Sequence, residues 1–144
     1  MEITSSAFQS GELIPSEFTC EGKNVSPPLK ISGVPSKSKS LVLIMDDVDA
    51  PGGVFTHWLV YDIFSGVNKI EVGGSIEGTY GKNDFDQDAY GGPCPNRGMH
   101  RYYFRIFALD RLLKLPWSIK RSELDREMKG HVIEYSELMG KYSK

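Results

Sequence analysis

Two histidines, a carboxylate and a phenol stand at the ends of three predicted strands. His100 and Tyr102 lie two residues apart at the start of an apolar strand, so alternation places both on its core face. Asp47 continues the apolar face of a second strand, and His57 begins the face of a third. Polar groups at the edge of an apolar core form small binding pockets, and a protonated histidine attracts anions. These four residues are therefore the candidate site.

An anion in this pocket would bind in a way that depends on histidine protonation. An ionised Asp47 repels a phosphate-like ligand, unless it hydrogen-bonds a histidine and holds that ring protonated. We therefore expect His57 and His100 to be the cations, and anion affinity to fall as pH rises through the histidine range. Structural roles are the alternative for each residue taken singly: His57 could bond to the backbone inside the core, and His100 could hold a turn. His131 lacks such neighbours in the pattern and is expected to be structural.

A glycine- and proline-rich loop precedes His100 and is expected to form one wall of the pocket. Proline fixes φ and glycine adopts conformations that other residues avoid. The loop around Pro93 can therefore hold backbone N–H groups towards an anion without a large ordering cost. Pro51 has the same backbone role in the turn after Asp49, and we expect a cis peptide bond before one of the prolines in these loops.

The two cysteines are too few for a disulfide framework, and this favours a reducing compartment. Cys94 lies in the loop beside the proposed pocket and is expected to be a small packed residue. The alternative is a reactive or redox-sensitive thiol near His100.

An enzyme that uses the same residues is the competing functional hypothesis. Two histidines and a carboxylate can form a facial metal site with open positions, which predicts a metal-dependent hydrolase. Against it, the motifs contain no evident nucleophile, and the phosphate-loop, dinucleotide and Gly-x-Ser-x-Gly patterns are absent. The binding hypothesis is favoured, and no cofactor is predicted.

An acidic loop contains Asp84, Asp86 and Asp88. It fails the EF-hand pattern because Ala89 and Pro95 occupy the positions that require glycine and glutamate. We expect a solvated loop. Alternation turns Arg101 to the face opposite His100, so Arg101 is expected to brace the loop through Asp84 or Asp86 instead of contacting the ligand.

Alternating apolar residues and glycine-rich turns predict a mostly β protein. The firm strand candidates are Ile3–Phe8, Ser40–Met45, Phe55–Ile63 and Arg101–Leu109. In the third of these, strict alternation places Leu59, Tyr61 and Ile63 on the face of His57. Residues 64–99 contain eight glycines and are predicted to be mainly loop with short edge strands.

One helix is predicted near the C-terminal end of the chain. Ser122 is its expected N-cap, Leu124 and Met128 share one face, and Gly130 ends it. The following segment, His131–Tyr142, is a helix or a strand on pattern alone.

Length and charge set further limits. With 144 residues the chain is expected to form one domain, 1–144. A net charge of −2 gives no general attraction to nucleic acid or to acidic membranes. No signal peptide or membrane-spanning run is visible, which predicts a cytoplasmic protein without integral membrane association.

Two blocks of sequence resemble the phosphatidylethanolamine-binding protein family, specifically its short bacterial and archaeal Raf-kinase-inhibitor-like branch. The blocks are Asp47-Val48-Asp49-Ala50-Pro51 with His57-Trp58-Leu59-Val60, and Tyr90-Gly91-Gly92-Pro93-Cys94-Pro95 with Gly98 and His100-Arg101-Tyr102. Weaker support comes from Asn83-Asp84-Phe85 and Gly130-His131-Val132-Ile133. The chain departs from the family at Val48, where proline is frequent, and at Asp86, where close relatives have glycine.

The resemblance implies an all-β fold with one or two short helices, an antiparallel Greek-key β-sandwich in which the tail is a strand. It also implies a pocket for a phosphate or phosphoryl head group, and a regulator that inhibits a kinase or a protease. A homodimer is implied as well. The ligand-binding residues expected on this basis, with Cys94 in the wall, are Asp47, Pro51, His57, Pro93, Cys94, His100 and Tyr102.

Overall fold

The computed structural model describes all residues, Met1–Lys144, and its strands form two antiparallel sheets. A 3-10 turn, Ser16–Phe18, and one α-helix, α1 (Arg121–Met128), complete the regular structure. The strands are β1 (Glu2–Thr4), β2 (Leu29–Ser32), β3 (Ser40–Asp47), β4 (Phe55–Ile63), β5 (Lys69–Ile70), β6 (Thr79–Tyr80), β7 (His100–Leu109) and β8 (Val132–Tyr142). The mostly β fold and the strand at the tail are therefore confirmed.

The two sheets face each other across the main hydrophobic core. The larger sheet has the strand order β6-β4-β3-β7-β8, and the smaller has the order β1-β2-β5. Ile3 and Ile31 of the smaller sheet pack in one cluster with Leu43 and Phe104 of the larger sheet. A shared core between two antiparallel sheets defines a β-sandwich. Neither helix is both long and apolar enough to cross a lipid bilayer.

The α-helix covers the outer face of the larger sheet. Leu124 and Met128 are buried there in a second apolar cluster, as their spacing predicts. Gly130 follows the helix with φ 84°, a conformation that favours glycine. Ser122 is not the N-cap: the helix begins earlier, the N-cap is Lys120, and no side chain caps it.

Most predicted strand limits agree with the structure. Phe55–Ile63 is exact, whereas the predicted strand Ile3–Phe8 ends early, at Thr4. The chain turns there because Ser5 Oγ accepts a hydrogen bond from the N–H of Ala7 at 3.1 Å.

A β-bulge in β4 leaves His57 without a partner residue. Met45 of β3 opposes Trp58, but the next residue, Asp46, opposes Thr56. His57 is the extra residue between them. An extra residue interrupts the alternation of a strand and re-aims its side chain, so His57 and Trp58 both reach the inner face.

Because of the bulge, the predicted orientation of the side chains in β4 is wrong. Leu59 and Tyr61 pack in the cluster beneath α1, on the face opposite the inter-sheet core. A second irregularity in the β3–β4 register, where Asp62 has φ 50°, returns Ile63 to the inter-sheet core. Pattern alone could not reveal either register shift, because each depends on the neighbouring strand.

Every peptide bond is trans, so the expected cis proline is wrong. The two cysteines are also not free: Cys20 and Cys94 form a disulfide across a sequence separation of 74 residues. Both expectations for Cys94, a packed thiol and a reactive thiol, are therefore wrong.

Candidate functional site

Asp47 and His100 meet where the end of β3 lies beside the start of β7. His100 Nδ1 donates to Asp47 Oδ2 at 2.6 Å, and the other carboxylate oxygen accepts the N–H of Asp49 at 2.8 Å. His100 Nε2 donates to the carbonyl of Arg97 at 3.1 Å. Both ring nitrogens of His100 thus face oxygen atoms of the protein. The predicted hydrogen bond between Asp47 and a histidine is present.

His57 has a different environment. Its Nδ1 donates to the carbonyl of Gly91 at 2.7 Å, and the N–H of Gly91 donates to the His57 carbonyl at 3.0 Å. Burial lowers the pKa of His57 below its ordinary value of 6.5, although the Gly91 carbonyl and the charge of Asp47 oppose that shift. The ring is therefore neutral near pH 7. Desolvation outweighs the favourable partners of His57, so without an anion its ring does not carry the charge that the sequence analysis expects it to use in holding one.

Tyr102 lies between the two histidines and is fully buried. Its ring is perpendicular to that of His57 at a centroid distance of 5.3 Å and stacked on His100 at 6.4 Å. Burial, and then the negative charge of Asp47, raise the pKa of Tyr102, so its hydroxyl keeps its proton. That hydroxyl lies beside the Asp47 carboxylate and the backbone of Cys94, but it makes no hydrogen bond of normal geometry with either of them. A buried donor without an acceptor is costly, which makes it the least satisfied group of the site.

Two aromatic rings that the sequence analysis missed enclose His57. Phe55 lies 5.2 Å from the His57 ring and Phe85 lies 5.0 Å from it, each with an edge-to-face contact. Phe85 remains 40% exposed, so it separates His57 from solvent as a partly open cover. The Asn83-Asp84-Phe85 motif was the available signal for this ring.

Asn83 explains how a polar loop presents Phe85. Its buried amide group donates to the carbonyls of His57 at 3.0 Å and of Ala89 at 2.8 Å. Its side-chain oxygen accepts the N–H groups of Phe85 and Gln87, each at 3.0 Å. One side chain therefore fixes the loop to the backbone of the bulge at His57.

The glycine- and proline-rich loop is fastened to the segment that contains Cys20. The disulfide from Cys20 to Cys94 is one link, and the Cys20 N–H donates to the carbonyl of Pro93 at 3.1 Å. The N–H of Gly92 donates to Asn24 Oδ1 at 2.9 Å. A Cβ on Gly92 would lie 2.3 Å from that oxygen, so only glycine permits the contact. These links to the Cys20 segment fix the position of the loop, as a preformed pocket wall requires.

A cavity of about 300 Å³ lies between this loop and Phe85. Its other lining residues are Cys20, Asn24, Gln87, Gly91, Gly92 and Cys94. A larger groove, about 750 Å³, runs along β2 and β5 and contains no candidate site residue. The small cavity is therefore the opening nearest to His57.

Arg101 braces the loop that follows Asp47, through a different carboxylate from those predicted. Its Nε and Nη2 donate to the two oxygens of Asp49, each at 2.9 Å, so Asp84 and Asp86 are not its partners. The hydrogen bonds from Arg101 hold the pKa of Asp49 at about 2. Pro51 follows in an exposed turn, at the margin of the site and not within its buried part.

No group of three or more His, Cys, Asp or Glu side chains is arranged to hold a metal ion. The facial metal site expected from Asp47, His57 and His100 is not formed: both nitrogens of His100 face oxygen atoms of the protein, and both oxygens of Asp47 accept hydrogen bonds from it. In the acidic loop, Asp84 Oδ2 accepts the Thr56 N–H at 2.7 Å and Asp88 accepts Ser118 Oγ at 2.6 Å. These carboxylates hold the loop together.

The fold and this arrangement correspond to a known class of protein. The family model for phosphatidylethanolamine-binding proteins matches residues 4–143, and the chain belongs to that family. A UPF0098 protein of Pyrococcus horikoshii is 46% identical over 149 residues, which cover 97% of this chain and 75% of that protein.

Two solved structures share the fold. A phosphatidylethanolamine-binding protein homolog from Chlamydia trachomatis has a TM-score of 0.96 at 40% identity, over 99% of this chain and 97% of its own. YbcL of E. coli, described as a member of the mammalian family, has a TM-score of 0.89 at 30% identity, with coverage of 99% and 98%.

Proposed function

We propose that this protein binds a small anion, a phosphate or phosphoryl head group, at Asp47, His57, His100 and Tyr102. The loop with Pro93 and Cys94 forms one wall, and the turn with Pro51 lies at the margin. The observation that carries the proposal is the buried Tyr102 hydroxyl, which makes no hydrogen bond of normal geometry within the protein although the Asp47 carboxylate lies beside it. An anion placed between the two histidines supplies an acceptor for that hydroxyl.

The charges of the site define which anion it accepts. Asp47 hydrogen-bonds His100, and burial lowers the pKa of His57 so that its ring is neutral. An anion therefore binds best together with a proton, either as a monoprotonated phosphate that donates to His57 or with uptake of the proton by His57 itself. For this reason the affinity falls as pH rises.

Access to the site requires Phe85 to move. Asp47, His57, His100 and Tyr102 are all buried, whereas Phe85 covers His57 and borders the cavity of about 300 Å³. Rotation of one exposed ring costs little compared with moving the disulfide-linked wall. The proposal therefore has the ligand enter past Phe85.

The family supports a physiological role as a regulator. Its name supports a phosphorylethanolamine-like group as one ligand, and the resemblance supports inhibition of a kinase or a protease by a homodimer. Light scattering of the purified chain at micromolar concentration measures the dimer. Inhibition assays follow only when the anion site has been demonstrated.

The test is an NMR titration with inorganic phosphate and phosphorylethanolamine at about pH 6. We expect saturable shifts at Asp47, His57, Gly92–Cys94 and His100–Tyr102. Tyr102→Phe keeps the ring packing and removes only the unpartnered hydroxyl, so affinity falls about tenfold. Tyr103→Phe, on the other face of β7, is the matched control and binds as wild type. Absence of shifts at high millimolar ligand, or wild-type affinity in Tyr102→Phe, refutes the proposal.

A further inference from the structure

Asp46, the neighbour of Asp47, faces the opposite side of the sheet and is buried among cationic groups. Arg121 Nη1 and Thr56 Oγ1 donate to its Oδ1, the latter at 3.0 Å, and Arg105 Nε donates to Oδ2 at 3.3 Å. Asp46 is 1% exposed. We call Asp46, Thr56, Arg105 and Arg121 the back cluster. Its carboxylate is fully engaged by these donors, and a groove of about 670 Å³ opens beside the cluster.

Thr56 connects the back cluster to the candidate site, because it is the residue immediately before His57. It is fixed from two directions. Its N–H donates to Asp84 Oδ2 at 2.7 Å and its carbonyl accepts the N–H of Asp84 at 2.9 Å. Its hydroxyl donates to Asp46 and accepts a hydrogen bond from Arg121 Nη1 at 3.1 Å. The position of Thr56 sets where the β-bulge begins and therefore how His57 is aimed.

The two arginines of the back cluster differ in whether they contact Thr56. Arg121 reaches both Asp46 and the Thr56 hydroxyl. Arg105 reaches Asp46, and its remaining hydrogen bonds go to Tyr135 at 2.8 Å and to Glu137 at 3.5 Å, with none to Thr56. Only Arg121 joins the helix to the strand residue that precedes His57.

The helix holds Arg121 in this position. Arg121 is the first residue of α1, and Leu124 and Met128 anchor that helix in the apolar cluster on the outer face of the sheet. Arg121 Nε also donates to Asp125 Oδ1 at 2.8 Å, one turn later in the helix. Its guanidinium is thus oriented before it reaches Thr56.

We propose that Arg121 is a positioning residue for the anion site, which acts on His57 through Thr56 from the opposite face of the sheet. This inference rests on the proposed function for its effect on ligand affinity. Without Arg121, the Thr56 hydroxyl loses a donor and Asp46 loses a cation, so the strand before the bulge is free to shift. A displacement near 1 Å changes the alignment of His57 with Gly91 and Tyr102, and alignment on that scale controls recognition.

The experiment compares Arg121→Met with Arg105→Met. Both variants remove one cation from Asp46, so both change the charge behind the site, but only the first removes a contact to Thr56. We expect Arg121→Met to shift the ring resonances of His57 and to weaken phosphate binding about fivefold. Arg105→Met is expected to leave the His57 ring resonances in place and to weaken phosphate binding less than about twofold.

A second variant separates the contact from the stability of the fold. Thr56→Val keeps the volume of Thr56 and leaves the ion pair of Arg121 with Asp46 in place. It is expected to reproduce the shift of the His57 resonances, and adding Arg121→Met to it is expected to have a less than additive effect on phosphate affinity. Thr56→Val also tests the link if Arg121→Met does not fold.

Each outcome has one meaning. Unshifted His57 resonances in Arg121→Met and Thr56→Val overturn the positioning role, and equal effects of both arginine variants do so as well, because charge alone then explains them. If the wild-type protein binds no phosphate, the proposed function fails. The His57 resonances still decide whether Arg121 positions that ring.

Discussion

Asp46 and Asp47 are adjacent aspartates, both nearly inaccessible to solvent. Their side chains lie on opposite faces of the sheet and have different hydrogen-bond partners. On the back, Asp46 accepts from two arginines and a threonine. On the front, Asp47 accepts from His100 and one backbone N–H, beside the Tyr102 hydroxyl that has no partner. The back cluster is satisfied within the protein and the front is not. Incomplete satisfaction of buried polar groups is what distinguishes a binding site from a structural ion network.

The two faces also differ in how they are attached to the rest of the chain. The wall of the front site is tied by the disulfide from Cys20 to Cys94. The back cluster is tied by ion pairs to α1 through Arg121 and to β7 through Arg105. The disulfide restricts the unfolded chain, whereas the ion pairs act only in the folded state. Removal of the disulfide and removal of a charged side chain therefore change the free energy of unfolding by different mechanisms.

The largest expected effect is on the front wall. Replacing both Cys20 and Cys94 by serine removes a cross-link between residues 74 apart and lowers the free energy of unfolding by about 4 kcal/mol. Urea unfolding of the variant and of reduced wild-type protein measures the loss. Phosphate affinity falls in the same variant because the wall must then be ordered on binding. Unchanged stability would show that the loop is held by its hydrogen bonds alone.

The second prediction compares the neighbouring aspartates directly. Asp46→Asn removes the buried carboxylate that Arg105 and Arg121 share, and arginine cannot lose its proton, so the free energy of unfolding falls by about 3 kcal/mol. The two arginines then keep only the more exposed carboxylates of Glu137 and Asp125. Asp47→Asn costs only about 1 kcal/mol, because the amide oxygen still accepts the Asp49 N–H, the amide nitrogen can donate to His100 Nδ1, and His100 Nε2 still donates to the Arg97 carbonyl. Thermal or urea unfolding of both variants gives the comparison. An equal loss in the two would contradict the distinction between the faces.

The third prediction concerns pH and the front site alone. Burial lowers the pKa of His57 in the folded protein below 6.5, its value in the unfolded chain. As pH falls below 6.5, the unfolded chain takes up a proton that the folded protein refuses, so the free energy of unfolding decreases until pH reaches the folded pKa. Each unit of depression is worth about 1.4 kcal/mol.

The control for this pH dependence is His57→Gln. It removes the titrating ring while His100, His131 and all carboxylates remain, so the difference between the two stability profiles isolates His57. We expect the wild-type profile to fall more steeply on acidification below pH 6.5. Parallel profiles would mean that His57 titrates normally. Saturating phosphate is expected to reduce the difference, because a bound anion favours the protonated ring.

The sequence predicts one side of the comparison better than the other. His100 and Asp47 stand at strand ends with clear apolar alternation, so their meeting could be expected from pattern and from the family resemblance. The aim of His57 could not, because the bulge exists only in the register between β3 and β4. A one-residue irregularity is decided by tertiary packing and leaves no mark in local alternation.

Contacts over long sequence separations explain the other failures. Arg121 lies 75 residues from Asp46, and Cys20 lies 74 residues from Cys94. Nothing local specifies such pairings, and two cysteines in an otherwise ordinary composition resemble buried free thiols. The partner of Arg101 was missed for a related reason. Asp49 stands beyond the end of β3, where the turn and not the strand direction decides its orientation.

The smallest expected effect lies in the loop that presents Phe85 to His57. Asp86 adopts φ 66°, a left-handed conformation that favours glycine. Its carboxylate is 83% exposed and contacts only Lys82, at 3.7 Å. Asp86→Gly is therefore expected to raise the free energy of unfolding by about 0.5 kcal/mol.

Asp62 is the matched control for Asp86, because it also has a left-handed φ, of 50°. Its carboxylate accepts the N–H groups of Leu113 at 2.6 Å and Leu115 at 3.3 Å, so Asp62→Gly loses more than the relieved strain returns and destabilises by about 1 kcal/mol. Opposite signs in the two variants, measured by urea unfolding, would separate backbone strain from side-chain contacts. Phosphate affinity should stay at the wild-type value in Asp86→Gly, since Asn83 and not Asp86 holds Phe85 over His57. A weakened affinity there would show that the cover of the front site depends on the backbone of this turn as well as on Asn83.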